Sequence, residues 1–265
     1  MKTWWLLLVA WMTVAASGPN APQTADDVIK FSSTKMADYK TWSADIRQSI
    51  NLMGVPMTLQ GRTWFKMPRW TRTEMQMPLV GALGKMTVVM GEDGLMWQEM
   101  DMLGRKQVAK MDMNKLVAGL AGETDPKLQL PQNPDPARQW EQSRQFMNFK
   151  LLPAVTLENQ PMWVLEGTWK PEIATNPVMA AQTTQIGKMR LYIGQQDGFT
   201  HRVEQFEPAK DKPAVTMEFT KLKFNEKLDD AMFQYKPPNG TQVIDITEIS
   251  RQMLQQGSPS SSPKP

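Results

Sequence analysis

His201 is the only histidine among 265 residues, and there is no cysteine. The chain therefore has no thiolate for Cys-ligated zinc, iron–sulfur clusters or a cysteine nucleophile, and a single imidazole leaves His-rich metal sites and a Ser-His pair nearly excluded. The acidic pairs Asp26-Asp27, Glu92-Asp93 and Asp229-Asp230 fall at expected helix starts and turns, where carboxylates cap backbone N–H groups rather than act as acid and base. Asp93 and Asp197 each precede a glycine and read as turn formers, and His201 reads as a strand residue beside Arg202. No catalytic residue, metal ligand or cofactor site is expected. With 30 basic and 27 acidic residues the net charge is +3, too small and too scattered to mark a nucleic-acid surface.

The distinctive chemistry is that of methionine. There are 22 methionines and 10 tryptophans against 3 tyrosines, and twelve of the methionines lie between residues 53 and 113. They keep a two-residue period in Met75 and Met77, in Met86 and Met90, and in Met96, Met100 and Met102. Side chains two apart on a strand share a face. Met is unbranched and polarizable and suits surfaces that must fit irregular partners. Two readings stand: an ordinary core with Met in place of Leu, or one wall of a pliable apolar cavity. The second makes Met75, Met77, Met86, Met90 and Met100 candidate lining residues. Trp64, on the strand before Met75, and Trp97, on the strand of Met100, are further candidates; core or interface packing would also explain them.

The elements that would position these residues follow from period and punctuation. Hydrophobic residues make up 41% of the chain and charged residues 22%, enough for a packed domain. Residues 1–16 have a lysine, an apolar stretch and a small-residue cleavage site, as in a cleavable signal peptide. A helix is expected over Ala25–Tyr39, then six short strands between Trp42 and Met111 with a hairpin turn at Asp93-Gly94. A short helix from Asp112, a loop with four prolines and a helix over Pro136–Phe149 come next. Five strands, Ala154–Glu158, Met162–Trp169, Lys188–Ile193, Phe199–Phe206 and Ala214–Phe224, close the domain, with Pro171–Thr184 as a polar insertion. One domain over residues 24–250 and a disordered tail over 257–265 complete the plan. Grouped helices on a long antiparallel run define an α+β fold, and a sheet of this many strands curls.

Four stretches resemble, in order, the LolA-type outer-membrane lipoprotein carriers. These are LQGRTWFKMPRWTRTEMQMP, with its G-x-x-W-x-K-x-P pattern, VVMGEDGLMWQ, MRLYIGQQDGFTHRVEQFE and LDDAMFQYKPPNGTQVID. The resemblance implies an incomplete β-barrel of about 11 strands with helices covering its concave face. It implies a monomeric periplasmic carrier that holds lipoprotein acyl chains, or another lipid, between an inner-membrane donor and an outer-membrane acceptor. An alternative on the same fold is a periplasmic module that senses lipid or lipoprotein in an envelope-stress pathway. Many of these carriers have an arginine between the Lys and Pro of the strand pattern, and it latches the lid helices. Here that lid-contact position is Met67, so either another residue holds the lid, with Arg62, Arg69 and Arg72 near in sequence, or the ligand and its trigger differ.

Overall fold

Helix α1 (Ala25–Ala37) begins at Thr24, whose hydroxyl accepts from the Asp27 N–H while the Asp27 carboxylate accepts from the Thr24 N–H. This reciprocal cap satisfies two donors that the first turn leaves free. Thr24 also holds the Asp27 carboxyl below the usual carboxylate range, helped by the Gln23 and Thr24 N–H groups. The helix buries Ala25, Val28, Ile29, Ser32 and Met36 along one stripe. The computed structural model describes residues 22–52, 55–79, 82–102, 104–121, 136–174 and 180–256. The expected signal peptide, the proline-rich loop and the expected disordered tail lie outside them.

Six antiparallel strands follow as a meander: β1 (Thr41–Leu52), β2 (Val55–Lys66), β3 (Trp70–Leu79), β4 (Ala82–Met90), β5 (Leu95–Met102) and β6 (Arg105–Asp112). Helices α2 (Met113–Ala121) and α3 (Pro136–Phe146) lead to the second meander. It comprises β7 (Met147–Leu157), β8 (Gln160–Trp169), β9 (Lys188–Gly194), β10 (Thr200–Phe206) and β11 (Val215–Phe224). The polar insertion between β8 and β9 contains two short helices, α4 (Pro171–Ala174) and α5 (Ala180–Gln185).

A short twelfth strand, β12 (Val243–Asp245), comes after them. The two meanders join where β1 pairs with β11, giving one open sheet in the order β12-β6-β5-β4-β3-β2-β1-β11-β10-β9-β8-β7. Residues of β3 and β7 nevertheless line the same cavity. In a flat sheet those strands would stand about 34 Å apart at ~4.8 Å per step, so the sheet is strongly curled. The expected α+β incomplete barrel is what forms.

Two features depart from expectation. Helix α3 ends at Phe146, and β7 starts at once, because Met147, Phe149 and Leu151 alternate onto β8 opposite Trp169, Gly167 and Leu165. Strand β12 runs parallel to β6, and the helix that follows it, α6 (Thr247–Gln256), packs on α2. Three residues paired with a strand 135 positions upstream (Val243 with Val108) leave no local signal. Among the described residues no helix is long and apolar enough to cross a membrane.

Outside the barrel, β8 to β11 carry a charged ladder. The Tyr192 hydroxyl donates to Glu204 at 2.8 Å, and Arg190 donates to Glu166 at 3.0 Å. Burial first, and then the Glu204 carboxylate, push the Tyr192 hydroxyl up to about 12 from an ordinary 10.0. The neutral phenol is the form favoured by folding. Its contribution is complete below the unfolded value near 10 and disappears as pH rises through about 12. Tyr192→Phe is expected to flatten the alkaline decline in stability over that window, read from denaturant midpoints.

Candidate functional site

A cavity of about 390 Å³ lies between the curled sheet and helices α1 and α3. Its floor is Trp42, Phe65, Met189, Leu191, Val203, Met217 and Phe219, and its cover includes Met36, Trp140 and Ser143. The register explains the floor: Leu191 faces Val203 and Val203 faces Met217 across three consecutive strands. Gly167 opposes Phe149, and a methyl there would come within 2.8 Å of the Phe149 ring, so the missing side chain makes room for that ring. Trp42 meets Phe199 edge-on at 5.0 Å and stacks near Phe65 at 5.8 Å, fixing one end wall. Polar lining side chains are neutral: Ser32, Thr71, Gln139, Ser143 and Thr200. None of the described lining residues is charged. Such a space disfavours ions and suits alkyl groups.

The cover is tied down by one buried relay. The indole N–H of Trp140 on α3 donates to Ser32 Oγ at 2.9 Å, and the Ser32 hydroxyl donates to the Gly198 carbonyl at 2.6 Å. Ser32 is 1% exposed and Trp140 7%. At the surface, Arg144 of α3 pairs with Asp26 of α1. The relay thus links α3, α1 and the β9–β10 turn. Gly198 holds a φ of +69°, and a side chain there would run into Lys35 and Ser32.

Of the arginines near the strand pattern, Arg62 pairs with Asp45, Arg69 bonds Asn114, and Arg72 bonds Glu74 and the Met232 carbonyl. None of these partners lies on α1 or α3. Met67 is half-buried in the β2–β3 turn, where its N–H donates to the Lys40 carbonyl. It is not among the cavity residues. Sequence reasoning missed Ser32. The signal was there: a serine four residues from both Val28 and Met36, on the buried stripe of α1.

The five methionines singled out by spacing do share a face. Met75 opposes Met86, Met86 opposes Met100, and Met90 opposes Met96. Met77 lies two residues along β3 from Met75, opposite Gly84. Met75 is buried with Ile46 and Leu59, and Met57, Met77, Met86 and Met217 pack against them. Met217 belongs to both the cluster and the cavity floor, while Met75, Met77 and Met86 extend the same concave face beyond Phe65 and Phe219 without lining the cavity.

Trp64 and Trp97 require correction. Their register, Trp64 to Arg72 to Val89 to Trp97, places both on the opposite, outer face. There the segment after β11 covers the sheet: Phe233 packs 5.7 Å from Trp70, Tyr235 lies 5.5 Å from Trp97, and the Tyr235 hydroxyl donates to Glu99 at 2.6 Å. Burial, and then Glu99, raise the Tyr235 hydroxyl.

His201 and the acidic residues have structural partners. His201 Nε2 lies 2.9 Å from Asp197 Oδ2, while Asp197 Oδ1 accepts from the Phe199 N–H. Asp93 accepts from the Leu95 N–H, and Asp229 caps the short helix at Asp230–Phe233. Among the described residues no group of three or more His, Cys, Asp or Glu could hold a metal ion.

The fold is an open, mostly antiparallel sheet curled round a helix-covered apolar cavity. No protein-family profile matches the chain. A protein of Methanocaldococcus jannaschii, named only as uncharacterized, is 21% identical over 229 residues, which are 86% of this chain and 56% of that protein. The chain thus spans a little over half the length of that curated relative. Among solved structures, an uncharacterized conserved protein from Thermus thermophilus has a TM-score of 0.52 at 15% identity, over 83% of this chain and 98% of that one. This is a likeness of fold. A LolA superfamily protein from Nitrosomonas europaea aligns with 81% of this chain and 99% of its own, at 11% identity and a TM-score of 0.34.

Proposed function

We propose that this chain is a periplasmic carrier that holds a lipoprotein acyl chain, or a related lipid, in the cavity beneath α1 and α3 on its way to the outer membrane. On this reading it is a binding protein and not an enzyme. The observation that carries the reading is the cavity of about 390 Å³ with its uncharged lining. An apolar cavity of ~150 Å³ admits one benzene. By that measure the space takes one alkyl chain, and a lipid with several chains needs α3 to lift. Ten buried methylenes contribute ~8 kcal/mol, the scale of a micromolar dissociation constant. Release into water would cost as much, so handoff requires an acceptor with an apolar site of its own. Inner-membrane donor and outer-membrane acceptor proteins are the corresponding partners.

Titration with a fluorescent fatty-acid probe tests this. Saturable binding at one probe per chain, competed by long-chain acyl compounds and not by their short-chain analogues, is expected. Absence of saturable binding overturns the carrier reading.

The relay at Ser32 sets the opening of the cover. Ser32→Ala removes two hydrogen bonds and leaves the buried Trp140 N–H unpartnered, a loss of about 1–3 kcal/mol. Faster probe uptake and a lower melting temperature are expected, whereas Trp140→Phe, which spares the Ser32–Gly198 bond, should lose less stability. Equal uptake rates in Ser32→Ala and the parent would show that α3 does not gate entry.

A further inference from the structure

An apolar wall needs volume and shape, and Leu or Ile would supply both. On this face the chain instead places thioethers side by side. A single row across the sheet reads Gly61, Met75, Met86, Met100, Gln107 on β2 to β6, each residue directly opposite the next. Opposed side chains on neighbouring antiparallel strands have Cβ atoms about 4.5–5.5 Å apart, within reach of one another's flexible ends. Met77 is the diagonal neighbour of Met86, and the residue facing Met77 is Gly84, which fills no space between them. Met77 and Met86 pack on the same cluster around buried Met75. The row also has a polar marker: Gln98 Nε2 donates to Met86 Sδ at 3.6 Å, so that sulfur presents a lone pair to a donor rather than to hydrocarbon.

We propose that Met75, Met77, Met86 and Met100 form a site for a soft monovalent metal ion of the Cu(I) class. This goes beyond the carrier reading and does not depend on it. Thioether sulfur is a soft, neutral donor that selects Cu(I) over the harder divalent ions. The residues of the row and of the packed cluster supply no carboxylate, imidazole or thiolate, which Zn(II), Mg(II) and Ca(II) require. Met86 is the central donor, with Met75 on one side and Met100 on the other. Gly61 opposite Met75 and Gln107 opposite Met100 end the row without a charged side chain. Thioethers carry no proton to lose, so affinity is unchanged from mildly acidic to neutral pH, in contrast to His or Cys sites.

Ag(I), a redox-inert ion of the same softness, is the probe. The full chain is titrated with Ag(I) and followed by native mass spectrometry and by NMR of ¹³C-labelled methionine methyls. One retained Ag(I) per chain is expected, with shifts concentrated in the methyls of Met75, Met77, Met86 and Met100. Excess Zn(II) leaves those shifts in place, and affinity is the same at about pH 5 and about pH 7. Met86→Leu/Met100→Leu, a volume-conserving change, is expected to weaken Ag(I) binding at least tenfold with a parental melting curve. Failure to retain Ag(I), shifts scattered over methionines elsewhere, displacement by Zn(II), or undiminished binding in the folded double variant overturns the site. The methyl shifts are read on the unmodified chain and so decide the matter even if the variant folds poorly.

Discussion

Val203→Trp is expected to weaken binding of an acyl probe about fiftyfold while the protein keeps its fold. Val203 sits mid-floor, between Leu191 on β9 and Met217 on β11, and lines the cavity. An indole there enters space that a ligand would otherwise use. Displacing three methylenes costs ~2.4 kcal/mol, which is the fiftyfold change. Val203 is only half-buried, so the larger ring grows into open space and not into packed atoms. The melting temperature should stay within a few degrees of the parent. Undiminished binding in a folded Val203→Trp protein would move the site elsewhere. Substituting Met75 is a poorer test, because Met75 is 5% exposed and a charge there attacks the core directly.

Gly61→Ala is expected to cost about 3 kcal/mol or more of folding stability, the upper end for overpacking. A methyl at Gly61 would overlap the Glu74 carbonyl oxygen, with Met75 Cα 2.8 Å away. Those are backbone atoms, so β2 and β3 would have to part along a pairing that runs from Gln60 to Lys66. A glycine inside a strand often marks close backbone approach of this kind. Chemical denaturation reads the loss directly. A parental midpoint in Gly61→Ala would mean that the two strands are not held this close. The same glycine opens the row in which Met75 and Met86 meet, so its loss should disturb the methionine wall as well.

Much of the architecture is legible in the sequence, for identifiable reasons. The methionines of β3, β4 and β5 repeat every second residue, and strand geometry turns that spacing into a shared face, as the Met75–Met86–Met100 row bears out. The Asp-Gly turns at Asp93 and Asp197 punctuate the hairpins, and each aspartate accepts a backbone N–H of its own turn. What stays hidden depends on contacts distant in sequence. The cavity floor exists because β1 pairs with β11, placing Ile46 opposite Phe219, and no local period announces that seam. Trp64 and Trp97 face outward, against expectation, and a segment more than 130 residues beyond Trp97, around Tyr235, packs against the Trp97 ring there. Arg62, Arg69 and Arg72 are near the strand pattern in sequence, but the buried bond that joins α3 to α1 is made by a tryptophan and a serine whose meeting requires the tertiary fold.

The central claim is that an acyl chain occupies the space beneath α1 and α3. A crystal structure of the chain grown with a terminally brominated fatty acid tests it most directly. The bromine's anomalous signal should lie within the cavity, among Trp42, Leu191, Val203 and Met217. A signal confined to the outer face, or none at all at saturating ligand, would contradict it.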